Sequence, residues 1–125
     1  MEISKSKDPK YIGPGTWSVI HRLAYHARTL DQQLRFIQVM KDICQWFPCE
    51  SCREHCLKYI KENPMENYLN LMVKVNGEFL PIPMFLWTWE FHNNVNRKLS
   101  KEILSWKVAC KIYSELECND VCSKL

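Results

Sequence analysis

Residues 47–56 read FPCESCREHC, placing three cysteines and a histidine within ten residues. Pro48 cannot extend a helix that runs into it, and it biases Phe47 toward extended backbone. Upstream, Leu34, Ile37, Met40, Cys44 and Phe47 recur at helical spacing; downstream, Cys49, Cys52, Cys56 and Ile60 do the same until the ENP of residues 62–64. The stretch therefore reads as a break between two helices. The second of them opens at Cys49 and runs to about Glu62, which sets an all-α expectation for the chain.

The same periodicity extends outward in both directions. After the polar lead of residues 1–12, GPGTWSVIHRLAYHA offers a Gly13-Pro14-Gly15 loop and then Trp17, Ile20, Ala24 and Ala27, predicting a first helix from about Thr16 to Thr29. Asp31 is the expected N-cap of the next. Towards the C-terminus, Phe85, Thr88, Phe91, Val95 and Leu99 predict a fourth helix. Ser105 is placed to cap a fifth, which carries Trp106, Ala109, Ile112, Tyr113 and Leu116. Between them, MVKVNGEFL alternates Val73 and Val75 around Lys74 before Asn76-Gly77, the strongest short-range hairpin signal, so a small hairpin or loop insertion is expected near 72–81. Five helices with short connections make a compact bundle.

Composition bounds the function. A chain of 125 residues, 46% of them hydrophobic, can bury a core without cross-links, so its seven cysteines carry more than structural weight. The number is odd, which leaves at least one thiol outside any set of internal bridges. A net charge of +3 is too small and too dispersed for a nucleic-acid-binding stripe. The opening residues lack the roughly 7 to 15 apolar residues of a secretory signal, and no run approaches the roughly 18 to 20 of a membrane span, so the expectation is a soluble chain with neither nucleic acid nor membrane as partner.

A C-x-x-C at a helix start brings two sulfurs within reach of each other, where exposed N–H groups and the helix dipole stabilise a thiolate. That suits a redox disulfide. It also suits half of a zinc knuckle, in which Cys49, Cys52 and His55 or Cys56 would recruit Cys118 and Cys122, and the spacing alone leaves both readings open. FHNNVN, residues 91–96, sets a histidine and three asparagines on a helix. An exposed face explains them, and so does a planar ligand rich in hydrogen-bonding groups that also uses Trp17, Trp87, Trp89 and Trp106.

Three motifs in order, GPGTWSVIH with Gly13, Trp17 and His21, CESC followed by His55, and HNNVNRKL with His92, Asn93, Val95, Asn96 and Lys98, resemble the Erv/ALR family of FAD-linked sulfhydryl oxidases over residues 13–116. The short form is most like the versions of large cytoplasmic DNA viruses. The resemblance implies a four-helix bundle with a short fifth helix, FAD in the bundle core and a homodimer. It also implies that Trp17, His21 and Tyr25 flank the flavin, that His92, Asn93, Val95, Asn96 and Lys98 hold the nucleotide side, and that Trp106 closes over it. Cys52 would be the flavin-proximal sulfur and Cys49 the outer one.

By the same resemblance the activity is oxidation of protein thiols to disulfides, with electrons passing through the C-x-x-C and FAD to oxygen, giving hydrogen peroxide without a metal. Thiol-bearing protein substrates or a thioredoxin-like relay protein would be the partners. The compartment would be the cytoplasm or a virion, or alternatively the mitochondrial intermembrane space. Cys118 and Cys122, in the tail of residues 117–125, are candidates for a shuttle pair. Cys44, Cys56 and Cys110 fall on apolar helical faces, as buried thiols or with one structural pair among them. Cellular members usually carry a second structural pair, which this chain lacks between Cys56 and Cys110.

Overall fold

The structure, a computed structural model, describes residues 9–114. In chain order it comprises α1 (Pro9–Tyr25), α2 (Leu30–Trp46), α3 (Glu50–Glu62), a 3-10 turn (Met65–Tyr68), β1 (Val73–Val75), β2 (Glu78–Leu80), α4 (Pro83–Lys98) and α5 (Trp106–Ser114). Helices α1 to α4 form the bundle: α1 lies chiefly along α4, α2 along α3, and α5 closes on α1. Among the described residues the helices number five, as the hydrophobic spacing predicts.

Helix α1 begins seven residues earlier than expected and passes straight through Gly13-Pro14-Gly15. A proline costs an interior helix one hydrogen bond, and Pro14, the sixth residue of α1, gives up that one bond without ending the helix. The next turn is reinforced by Thr16, whose hydroxyl donates to the Ile12 carbonyl at 2.9 Å. The helix also stops at Tyr25, short of Thr29, because Thr29 is the N-cap of α2 in place of Asp31. Its hydroxyl accepts from the Gln32 N–H, and the Gln32 side chain accepts from the Thr29 N–H, a complete capping box.

Helix α3 starts where Pro48 directs, with Cys49 as its N-cap. The hairpin also follows the expectation: β1 and β2 pair antiparallel, Val73 opposite Leu80 and Val75 opposite Glu78. Asn76 and Gly77 both take positive φ, 49° and 83°, as a tight two-residue turn requires. Ser105 caps α5 by accepting from the Val108 N–H.

The core is aromatic. Phe91 packs against Tyr59, Trp87 and Trp17, with centroids 4.7, 5.4 and 5.4 Å away, and Phe85 meets Tyr25, Trp106 and Tyr113. Leu34 and Leu99, expected on buried faces, are exposed; the buried positions on α2 are Gln33, Phe36, Ile37, Met40 and Cys44. No helix of the described residues is long and apolar enough to cross a membrane.

Candidate active site

Cys49 and Cys52 form a disulfide across the first turn of α3, their Cα atoms 5.1 Å apart. Both residues are half-buried, so the bridge is within reach of solvent. The Cys49 sulfur accepts the Cys52 N–H at 3.3 Å and lies 3.3 Å from the Ser51 hydroxyl. Donors of this kind at a helix N-terminus favour negative charge on that sulfur once the bridge opens. The preceding turn is tied down by Arg53, whose guanidinium donates to the Phe47 carbonyl at 2.6 Å.

Two of the groups that would join Cys49 and Cys52 in a zinc knuckle, His55 and Cys56, are engaged elsewhere. Cys56 is bridged to Cys44 on α2, Cα to Cα 5.6 Å, and His55 Nε2 meets Asn94 Oδ1 on α4 at 2.7 Å. Among the described residues no group of three or more His, Cys, Asp or Glu side chains converges as a metal site would require. Of the three cysteines on apolar faces, Cys44 and Cys56 make the structural pair. Cys110 is the buried free thiol, its pKa raised by burial. Cys118 and Cys122 lie outside the described residues.

One turn beyond Cys52, His55 sets its edge against Phe91, and Phe91 in turn touches Trp17. Through His55 and Phe91, α3 packs on a cluster of aromatic and imidazole rings. Trp17 and His92 stack in parallel, 4.0 Å between centroids and 4° between planes. His21, fully buried, lies beneath both and also contacts Tyr113. Its Nε2 meets His92 Nδ1 at 2.8 Å and its Nδ1 meets the Thr88 hydroxyl at 3.0 Å. Burial, reinforced by His92, lowers the pKa of His21 to about 3. Burial and the nearby Lys101 ammonium lower that of His92 to about 4. Both rings are therefore neutral near pH 7.

The asparagines of FHNNVN are buried rather than exposed at two of three positions, Asn93 and Asn96. Asn93 spends its amide on the backbone of Leu104, donating to the carbonyl at 2.8 Å and accepting from the N–H at 2.9 Å. It also accepts from the Asn96 amide at 3.3 Å. This clamps the α4–α5 connection, and Trp89 adds a third bond to it, its indole N–H donating to the Leu104 carbonyl at 2.7 Å. Beside them a polar cleft of about 360 Å³ opens between α3 and α4, lined by Tyr59, Asn63, Trp89, Glu90, Asn93, Asn94 and Arg97.

The sequence-expected residues thus divide. Trp17, His21 and His92 converge, with Asn93 next to His92 in sequence and Asn96 one helical turn along. Trp106 packs on Phe85 and Trp89 and ties its indole N–H to the Lys74 carbonyl of the hairpin. Tyr25 is buried against Phe85, Val95 is half-buried, Gly13 lies in the opening turns of α1 and Lys98 is exposed. The cation whose charge reaches His92 is Lys101, a residue that periodicity gave no reason to single out. Thr88, read only as a helical-face residue, is in fact the hydroxyl partner of His21.

The fold and the three motifs have a match among known proteins. The Erv1/Alr family model matches residues 14–116. The chain belongs to the Erv1/Alr family. It is 33% identical over 106 residues to the FAD-linked sulfhydryl oxidase of an African swine fever virus isolate from Kenya, covering 82% of this chain and 80% of that protein. A protein of Invertebrate iridescent virus 6 is 34% identical over 110 residues, covering 83% and 93%. The crystal structure of the yeast Erv1 core superposes with a TM-score of 0.68 over 89% of this chain and 87% of that one; at 22% identity it is a likeness of fold. This Erv1/Alr chain thus carries a four-helix bundle with a fifth helix, and a C-x-x-C disulfide at the start of α3.

Proposed function

We infer that this chain is an FAD-linked sulfhydryl oxidase that makes disulfides in protein thiols. The observation that carries the reading is the half-buried Cys49–Cys52 disulfide at the N-terminus of α3, on the helix whose His55 packs on Phe91, itself against Trp17 of the Trp17–His21–His92 cluster. The side chains suit the cofactor chemically. Half-buried ring faces match a planar ring system, buried amides and neutral imidazoles match a nucleotide's hydrogen-bonding groups, and Arg97 and Lys101 supply positive charge for its phosphates. Trp17, His21, Tyr25, His92, Asn93, Val95, Asn96, Lys98 and Trp106, with Gly13 in the backbone of α1, are the residues expected around it. Asn93 acts there by shaping the α4–α5 connection.

A substrate thiolate attacks the Cys49 sulfur, forming a mixed disulfide and releasing Cys52 as thiolate. A second substrate thiolate attacks the substrate's sulfur in that mixed disulfide and releases Cys49. The substrate leaves as a disulfide, and the Cys49–Cys52 pair keeps the two electrons while two protons pass to solvent. Cys49 is well placed as the final leaving group because the Cys52 N–H and the helix N-terminus stabilise its thiolate. FAD, when bound, supplies a two-electron acceptor that reoxidises the pair and hands the electrons to oxygen, giving hydrogen peroxide. Cys52 is the sulfur assigned to that side.

Thiol-bearing proteins or a thioredoxin-like relay protein are the partners this chemistry takes, and Cys118 with Cys122 is the candidate shuttle between them and Cys49. The cytoplasm or a virion is the compartment proposed, with the mitochondrial intermembrane space as the alternative. A homodimer would seat a second copy on the apolar stripe of α1. There Val19 and Leu23 are exposed one turn apart, and Ile12, Gly15, Thr16 and Val19 join Ile43 of α2 around an open groove of about 510 Å³.

The test is oxygen consumption with dithiothreitol. Cys49→Ser and Cys52→Ser should each abolish it while leaving bound flavin, because the ring cluster sits on α1 and α4. Full activity in either variant would remove the reading.

A further inference from the structure

Thr88 stands at one end of a chain of hydrogen bonds that runs through two histidines. Its side chain is fully buried in α4. A threonine hydroxyl has one hydrogen, and the Phe85 carbonyl, 2.9 Å from Thr88 Oγ1, is a partner that can only accept it. With the hydrogen on that carbonyl, the same oxygen accepts from His21 Nδ1, 3.0 Å away. So arranged, His21 carries its proton on Nδ1.

The consequence propagates. His21 is sealed among Trp17, Phe85 and Tyr113, and no acid stands against its ring among the described residues. It is neutral, so its Nε2 is a bare lone pair. That lone pair faces His92 Nδ1 at 2.8 Å, so His92 must supply the proton between them. His92 is then also the Nδ1–H form, and its own Nε2 has a lone pair and no hydrogen.

We propose that Thr88 is a positioning residue that, through His21, holds His92 in the Nδ1–H tautomer, so that His92 Nε2 meets the ligand of the site as a hydrogen-bond acceptor. The ligand group opposite it is a hydroxyl or amino donor, and a phosphate or carbonyl oxygen is excluded there. This rests on the flavin-nucleotide reading above, in which ribose and ribityl hydroxyls and the adenine amine are the available donors. Neither the motif spacing nor the family match assigns this role to Thr88.

The experiment is nitrogen-15 NMR of histidine-labelled protein as purified, which reports which ring nitrogen bears hydrogen, together with titration of FAD. The parent should show Nδ1–H for both His21 and His92. In Thr88→Val, which keeps the shape and removes the acceptor, His21 should move its proton to Nε2 and donate to His92 Nδ1, leaving His92 as Nε2–H. FAD should then bind about tenfold more weakly, since an acceptor has become a donor facing a donor. Thr88→Ser should restore both the tautomers and the affinity. Nε2–H on His92 in the parent overturns the proposal even if the valine variant does not fold, and so does an unchanged His92 tautomer in a folded Thr88→Val. A protein with the predicted tautomers that takes up no FAD would sink the cofactor reading and leave the relay intact.

Discussion

Trp17 on α1 and His92 on α4 lie face to face, 4.0 Å between ring centroids and 4° from parallel, with His21 hydrogen-bonded beneath. The pair joins the first and last helices of the bundle beside Phe91, which packs on His55 of α3. These rings tie the two helices together, and their protonation is open to measurement.

Both imidazoles have folded pKa values below the ordinary 6.5, about 3 for His21 and about 4 for His92. Between those values and 6.5 the unfolded chain binds more protons than the folded one, so stability rises with pH through that window. It is fully present above about pH 7 and is lost as the pH falls. For the buried His21 the loss approaches about 1.4 kcal/mol per pH unit below its ordinary value, and for half-buried His92 it is smaller. Urea midpoints should fall between about pH 6.5 and 4.5, with a shallower slope in His21→Gln. A parent whose midpoint is flat across that range would show that the rings charge without penalty.

The Cys44–Cys56 bridge joins α2 to α3 across a separation of 12 residues that contains the redox pair. A loop of this size closed by a disulfide is worth about 3 kcal/mol. The double variant Cys44→Ala, Cys56→Ala should lose about that much in denaturant unfolding while still oxidising dithiothreitol at low temperature. Loss of oxidation without loss of stability would instead make these cysteines part of the electron path.

If a second copy covers α1, charge in the stripe must break it. Val19→Lys with Leu23→Lys should halve the mass seen by light scattering and leave the C-x-x-C chemistry in place. A parent that is monomeric at micromolar concentration, or a variant of unchanged mass, would rule out this surface as the dimer contact.

Substituting Cys118 and Cys122 with Ser should leave oxidation of a small dithiol nearly intact and slow that of a reduced folded protein, because only the small reagent reaches Cys49 unaided. Equal rates on both substrates would make the tail pair idle or structural.

Much of the bundle is legible in the sequence because its signals are local. The 3.6-residue spacing, Pro48 before Cys49, Asn76-Gly77 and Ser105 each act within a few residues, and each sits in the structure where physical chemistry puts it. Gly13-Pro14-Gly15 misleads because loop-forming residues are tolerated in the opening turns of a helix. Thr29 could have been preferred to Asp31 from Gln32 three residues on, the mark of a capping box. The rest depends on contacts distant in sequence. Nothing local says that Thr88 faces His21, that Cys44 selects Cys56 over Cys110, or that Asn93 serves the Leu104 backbone. The three motifs identify the histidines as important, but only the packing of α1 on α4 shows which atoms they share.

The central claim is that electrons from thiols pass through Cys49–Cys52 to a flavin held in this bundle. Anaerobic titration of the purified protein with dithiothreitol, followed by visible absorbance, tests it most directly. A yellow protein whose flavin band bleaches on addition of the dithiol, returns on admitting air with formation of peroxide, and fails to bleach in Cys52→Ser is the result predicted. A protein that binds no FAD, or whose flavin band bleaches equally well without Cys52, would contradict it.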